Sequence, residues 1–156
     1  MPTLEEITYE AGRCALADQE SAVAGIRQRT GTLLAAHALV ASFLGATTVR
    51  TRGLDPLGWV AMAGLVLGLL DAAVLLAPWR MTFAVDAREL YDELYPETRA
   101  ASQTDKLGWL AAAGYGYQRL RDENAARVSH MSWLSAVLGA LMVLQTLSWL
   151  AALAVD

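Results

Sequence analysis

The sequence predicts an all-α membrane protein: three transmembrane helices, with a cytoplasmic helical stalk formed by the N-terminal helix and the extension of the last helix. Three observations predict it. Of 156 residues, 55% are hydrophobic and 18% charged, a balance too apolar for a soluble domain of this size. Three stretches of 20 residues or more carry at most one formal charge, enough at about 1.5 Å per residue to cross a hydrocarbon layer of roughly 30 Å. Ten of the twelve cations flank these stretches on one side and only Arg50 and Arg52 on the other, the asymmetry that orients membrane helices.

The elements follow in chain order. A cytoplasmic helix over 4–29 begins at "TLEE", where Thr3 is the N-cap and Glu6 reaches back to it. No proline stands between Thr3 and Asp55, so this helix runs straight into the first span, 30–49, which is uncharged when His37 is neutral. "TRGLDP" is a Gly/Pro turn that folds the second span, 57–79, back on the first as a tight hairpin. A cytoplasmic helical segment over 86–130 opens at "DARELYDELYP", with Asp86 as cap, Glu89 answering it, Leu90 and Leu94 on one face and Pro96 as its end. Leu110, Ala113, Tyr117, Leu120 and Asn124 keep helical spacing, so the third span, 131–155, starts well below the bilayer. That extension and the N-terminal helix are of similar length and both run toward the membrane, which predicts a parallel pair. Gly108, Gly114 and Gly116 each cost about 1 kcal/mol in a helix interior, and either let helices approach closely or mark a kink.

The cation split puts the N-terminus and central segment in the cytoplasm and the C-terminus outside, in the cell's plasma or inner membrane. Trp59, Trp79, Trp133 and Trp149 lie near span ends, as an aromatic belt requires. Eight charged residues in the first 29 leave no apolar signal core, so that segment is expected to be retained. Cys14 is the only cysteine, so an intrachain disulfide is excluded. The net charge of −4 argues against wholesale nucleic-acid binding. No Walker loop, GxSxG, HExxH or cysteine pair occurs, and no catalytic residue, metal site or cofactor is assigned.

Gly64 and Gly68 form a GxxxG pair that Ala72 extends, a stripe along which two backbones can touch; homo-oligomerisation is expected through it. Asp71 projects from the same face. In the first span His37, Ala41, Gly45 and Thr48 form a small, polar-tolerant face. Counting residues from Arg29 and Arg80 puts His37 and Asp71 at one level, about 12–14 Å above the cytoplasmic boundary. In contact, each would supply the hydrogen-bond partner that hydrocarbon withholds. Three readings stand for this intramembrane pair: a packing clamp, the polar lining of a water-filled path, and a proton relay. Arg27, Arg29, Arg80 and Arg127 gather near the membrane surface if the stalk forms. They read as anchors to anionic headgroups or as a phosphate-binding ring for a nucleotide, to which Arg119, Arg121 and Asn124 contribute.

Three stretches resemble the small Pycsar transmembrane effectors of bacterial antiphage defence. "RQRTGTLLAAH", with Arg27, Arg29, Gly31, Leu33 and Leu34, is similar to the family's entry into its first span, with arginines where an acid and a lysine are usual. "LLAPWR", with Pro78 and Arg80, matches the exit from the second span, and Asn124 in "RDENAARVSHMSW" matches the helix before the last, with His130 where a lysine is usual. The resemblance implies an oligomer that senses a cyclic nucleotide, a cyclic pyrimidine monophosphate, and then disrupts the inner membrane. The rival expectations are a scaffold that anchors a cytoplasmic partner and a small proton-coupled transporter.

Overall fold

A computed structural model describes residues 2–53, 55–84 and 103–154. Every regular element among them is helical: α1 (Leu4–Val40), a five-residue π-helical segment (Ala41–Gly45), α2 (Ala46–Arg52), α3 (Pro56–Leu76) and α4 (Gln103–Ala154). Three of the helices are long and apolar enough to cross a membrane. The chain divides into two compact units, one of Met1–Val23 with Trp79–Ser129 and one of Ala24–Pro78 with His130–Asp156. The expected helix from Asp86 through Leu94 lies outside the described residues.

In the first unit α1 starts as its sequence dictates. Thr3 N–H donates to Glu6 Oε2 at 2.9 Å and Glu6 N–H to Thr3 Oγ1 at 3.3 Å, a reciprocal capping box that satisfies two free donors of the first turn. The N-terminal part of α1 lies parallel to α4. A Cβ on Gly12 would sit 2.7 Å from the Gly114 carbonyl oxygen, and one on Gly114 3.0 Å from the Thr8 carbonyl, so the two backbones touch where neither has a side chain. Tyr9 packs edge-on against Tyr117 at 5.7 Å between centroids and tilted against Trp109 at 6.3 Å. One turn and more along, Gln19 Nε2 donates to the Arg121 carbonyl at 3.1 Å. α4 continues unbroken through Gly114 and Gly116. Of the two roles open to these glycines, Gly114 takes close approach.

The second unit is a three-helix bundle. Gly53, at φ 74°, ends α2 in the left-handed region where a Cβ would be strained. Asp55 then caps α3, accepting from Gly58 N–H at 2.7 Å, with Pro56 in the first turn. α3 stops at Leu76, because Ala77 precedes Pro78 and is driven to ψ 150°. Its six buried residues are Gly58, Ala61, Gly64, Gly68, Ala72 and Leu75: five are small and one is large. The outside is the reverse, with Leu39, Phe43, Val66, Leu67, Leu70 and Leu147 exposed. Small and polar inside with large apolar outside is the distribution of a bundle solvated by hydrocarbon.

In the first unit Gly12, Leu16 and Val23 of α1 are buried with Gln19 half-buried between them, and in the second Ile26, Thr30 and His37 are buried with Leu33 half-buried, so within each unit the inward positions alternate steps of four and three. That 3.5-residue period keeps one helix face on its neighbour. In α4 the buried Asn124, Met131, Leu138, Gln145 and Ala152 repeat every seven residues. After His37 the α1 register would slip, since the next buried residues are Gly45 and Thr48. The π segment absorbs the slip: a turn closed by i→i+5 bonds holds one residue more than an α turn, so Gly45 returns to the seam as if it were seven residues on.

Candidate functional site

The polar residues of the second unit converge inside it. His37 is 1% exposed and Gln145 0%, and Thr30, Thr48 and Ser148 are buried with them. The two threonines are satisfied within their own helix, Thr30 Oγ1 donating to the Ile26 carbonyl at 2.9 Å and Thr48 Oγ1 to the Leu44 carbonyl at 2.9 Å. His37 reaches across instead: its Nδ1 hydrogen-bonds Gln145 Oε1 on α4. An amide oxygen can only accept, so with this amide orientation Nδ1 carries a proton and donates it. Gly68 of α3 lies against the same ring, where a Cβ would meet Cε1 at 3.0 Å and Nε2 at 3.1 Å.

Among the described residues of the second unit, five buried side-chain atoms have no hydrogen-bond partner: His37 Nε2, Gln145 Nε2, Trp149 Nε1, Asp71 Oδ2 and Arg27 Nε. The Gln145 amide nitrogen is a double donor, and the Trp149 and Arg27 nitrogens are donors. Leaving such an atom unpaired costs about 1–3 kcal/mol, so the cluster is held by the packing around it.

His37 thus hydrogen-bonds Gln145, where the sequence suggests Asp71 as its partner. Gly68, not Asp71, stands level with the imidazole, and Asp71 comes three residues later, about 4.5 Å along the helix axis. Counting from flanking arginines locates a residue only to within a turn. Gln145 takes the place assigned to Asp71. Its identity was available in the seven-residue spacing through Met131, Leu138, Gln145 and Ala152, which puts an amide on the seam.

The small-residue stripe is likewise occupied within the chain. A Cβ on Gly64 would meet Gln145 Cβ at 3.5 Å and the Leu141 carbonyl at 3.7 Å, both on α4, while Gly68 faces His37 on α1 and Ala72 is buried. The chain's own helices thus pack on the face through which homo-oligomerisation is expected. Ala41 is half-buried, and Gly45 carries the Trp149 indole at 3.2 Å from where its Cβ would be. Trp149, 1% exposed, is thus a core residue and not part of an aromatic belt, whereas Trp59 and Trp133 are exposed.

The cations are less organised. Arg119 pairs with Glu123 at 2.9 Å and Arg121 approaches Asp122 at 3.8 Å, both at exposed positions of α4, so each is partly neutralised by its own helix. Asn124 faces the other way: it is buried, and its Nδ2 donates to the Thr82 carbonyl at 2.9 Å. Its amide secures the chain after α3 and, being buried and bonded there, is withdrawn from the expected phosphate set. Arg80 and Arg127 are exposed in the first unit; in the second, Arg29 is exposed and Arg27 is half-buried with its Nε unpartnered. Set beside known proteins, the chain matches no family model, no curated protein and no solved structure.

Proposed function

We propose that the chain is a non-enzymatic membrane effector of antiphage defence. Its second unit spans the inner membrane, and its first unit lies in the cytoplasm and receives a cyclic-nucleotide signal. The observation that supports this most is the buried His37–Gln145 pair inside an apolar unit, each residue with a nitrogen that has no partner. Such atoms are costly in hydrocarbon, and intramembrane polar groups of this kind mark places where helices rearrange or water enters. In the resting arrangement the His37–Gln145 bond closes the bundle. Parting α1 from α4 would open the unpartnered atoms to water and make the bilayer leaky.

Dye release from liposomes holding the full chain tests the proposal. Release on addition of a cyclic pyrimidine monophosphate is expected, and its absence with every cyclic nucleotide tried would overturn it. The exposed Leu4, Ile7 and Tyr115 of the first unit favour a second reading, an anchor that docks a cytoplasmic partner. A His37→Ala, Asp71→Asn double variant separates the two. An anchor keeps its partner binding unchanged, and an effector changes its leakage.

A further inference from the structure

One groove of the second unit takes no part in the polar cluster. It has a volume of about 760 Å³, lies open between α1 and α4, and is lined by Gly25, Gln28, Arg29, Thr32, Ser132 and Ser135, with Leu33 and Ala136 at its apolar end. We propose that it seats the phosphate of an anionic phospholipid. This rests on the membrane reading above and names a ligand that reading leaves open.

Four observations carry the proposal. The donors suit a phosphate: the Arg29 guanidinium forms no ion pair among the described residues, and the Gln28 amide and the Ser135 hydroxyl line the same space, while the Thr32 hydroxyl donates to the Gln28 carbonyl at 3.2 Å. Nothing repels an anion, because no carboxylate lines the groove and neither 24–40 nor 130–154 contains Asp or Glu. The level is that of headgroups: the groove straddles the points where α1 becomes uncharged at Thr30 and α4 at Met131, and the exposed Trp133 stands beside Ser132. The floor is open, since a Cβ on Gly25 would have nothing within 4 Å. A phosphate at Arg29 leaves Leu33 and Ala136 to meet the upper acyl chain, so polar and apolar ends of the groove match those of a lipid.

The test uses the full chain in neutral detergent, titrated with phosphatidylglycerol or phosphatidylcholine and read by native mass spectrometry. Phosphatidylglycerol is expected to bind in preference, and Arg29→Gln to weaken that binding about tenfold, as loss of one charge-assisted hydrogen bond does. Gly25→Phe is expected to block the groove while leaving helix content and melting unchanged, because the added ring enters open space. Arg50→Gln, at the far end of the same helical run, is expected to change nothing. Equal binding of the two lipids, or full phosphatidylglycerol binding by Arg29→Gln, would overturn the proposal. So would complete displacement of the lipid by inorganic phosphate, which would assign the groove to a soluble anion. Flotation of the wild-type chain with phosphatidylcholine liposomes tests the membrane reading separately, so failure of the lipid site and failure of that reading are told apart.

Discussion

Gly68→Ala would bring a methyl group to 3.0 Å from His37 Cε1 and 3.1 Å from Nε2, against a ring that Gln145 holds by a hydrogen bond. The imidazole cannot yield without straining that bond, so a loss of about 1–3 kcal/mol is expected in detergent unfolding, with Gly25→Ala as a neutral control. A second prediction concerns Tyr117, whose phenol is raised above its usual pKa by burial first and by the Tyr9 hydroxyl next. A group raised in the folded state contributes stability that is complete below its unfolded pKa and is lost as pH rises through the folded one. The chain is therefore expected to melt at lower temperature above about pH 10, and Tyr117→Phe to remove that step. At this scale the sequence picks out His37 and Asp71, since an ionisable group in an apolar run is conspicuous. It pairs them with each other, whereas the partner of His37 is Gln145 of α4, which the seven-residue spacing along α4 puts on the seam.

Among the helices, the π segment carries the sharpest prediction. Deleting Ser42 should convert Ala41–Gly45 to a plain α turn, with Gly45 still under Trp149 and Thr48 still buried, because the extra residue is then gone. Deleting Ala35 instead would rotate His37 off the seam by about 100° and break its bond to Gln145. Thermal melts in detergent, with circular dichroism as the readout, should leave the first variant near wild type and lower the second by the equivalent of about 1–3 kcal/mol or more. Equal damage from both deletions would refute the register argument. The three apolar helices and the capping box at Thr3 follow from local chemistry, and both stand in the structure. The π segment does not follow in this way: hydropathy is insensitive to one surplus residue, and only the burial pattern on either side reveals it.

For the whole molecule the proposed orientation can be tested with the chain's own chemistry. Cys14 is the single cysteine, free and exposed on α1, its thiol 3.7 Å from Glu10 Oε1. A membrane-impermeant maleimide is expected to label it in inside-out vesicles and not in intact cells, and labelling of intact cells would reverse the orientation. The apolar character of the molecule is plain from composition, whereas which surfaces remain free is not, since the GxxxG stripe serves lipid-facing partners and internal packing equally well until Gln145 is placed on it. The His37–Gln145 bond also has a consequence in time. A ribosome making roughly 5–20 residues per second needs about 5–20 s to cover the 108 residues between them. Throughout that interval the imidazole lacks the amide that binds it in the folded chain, so packing of α4 against α1 in the second unit is the event that completes the buried pair.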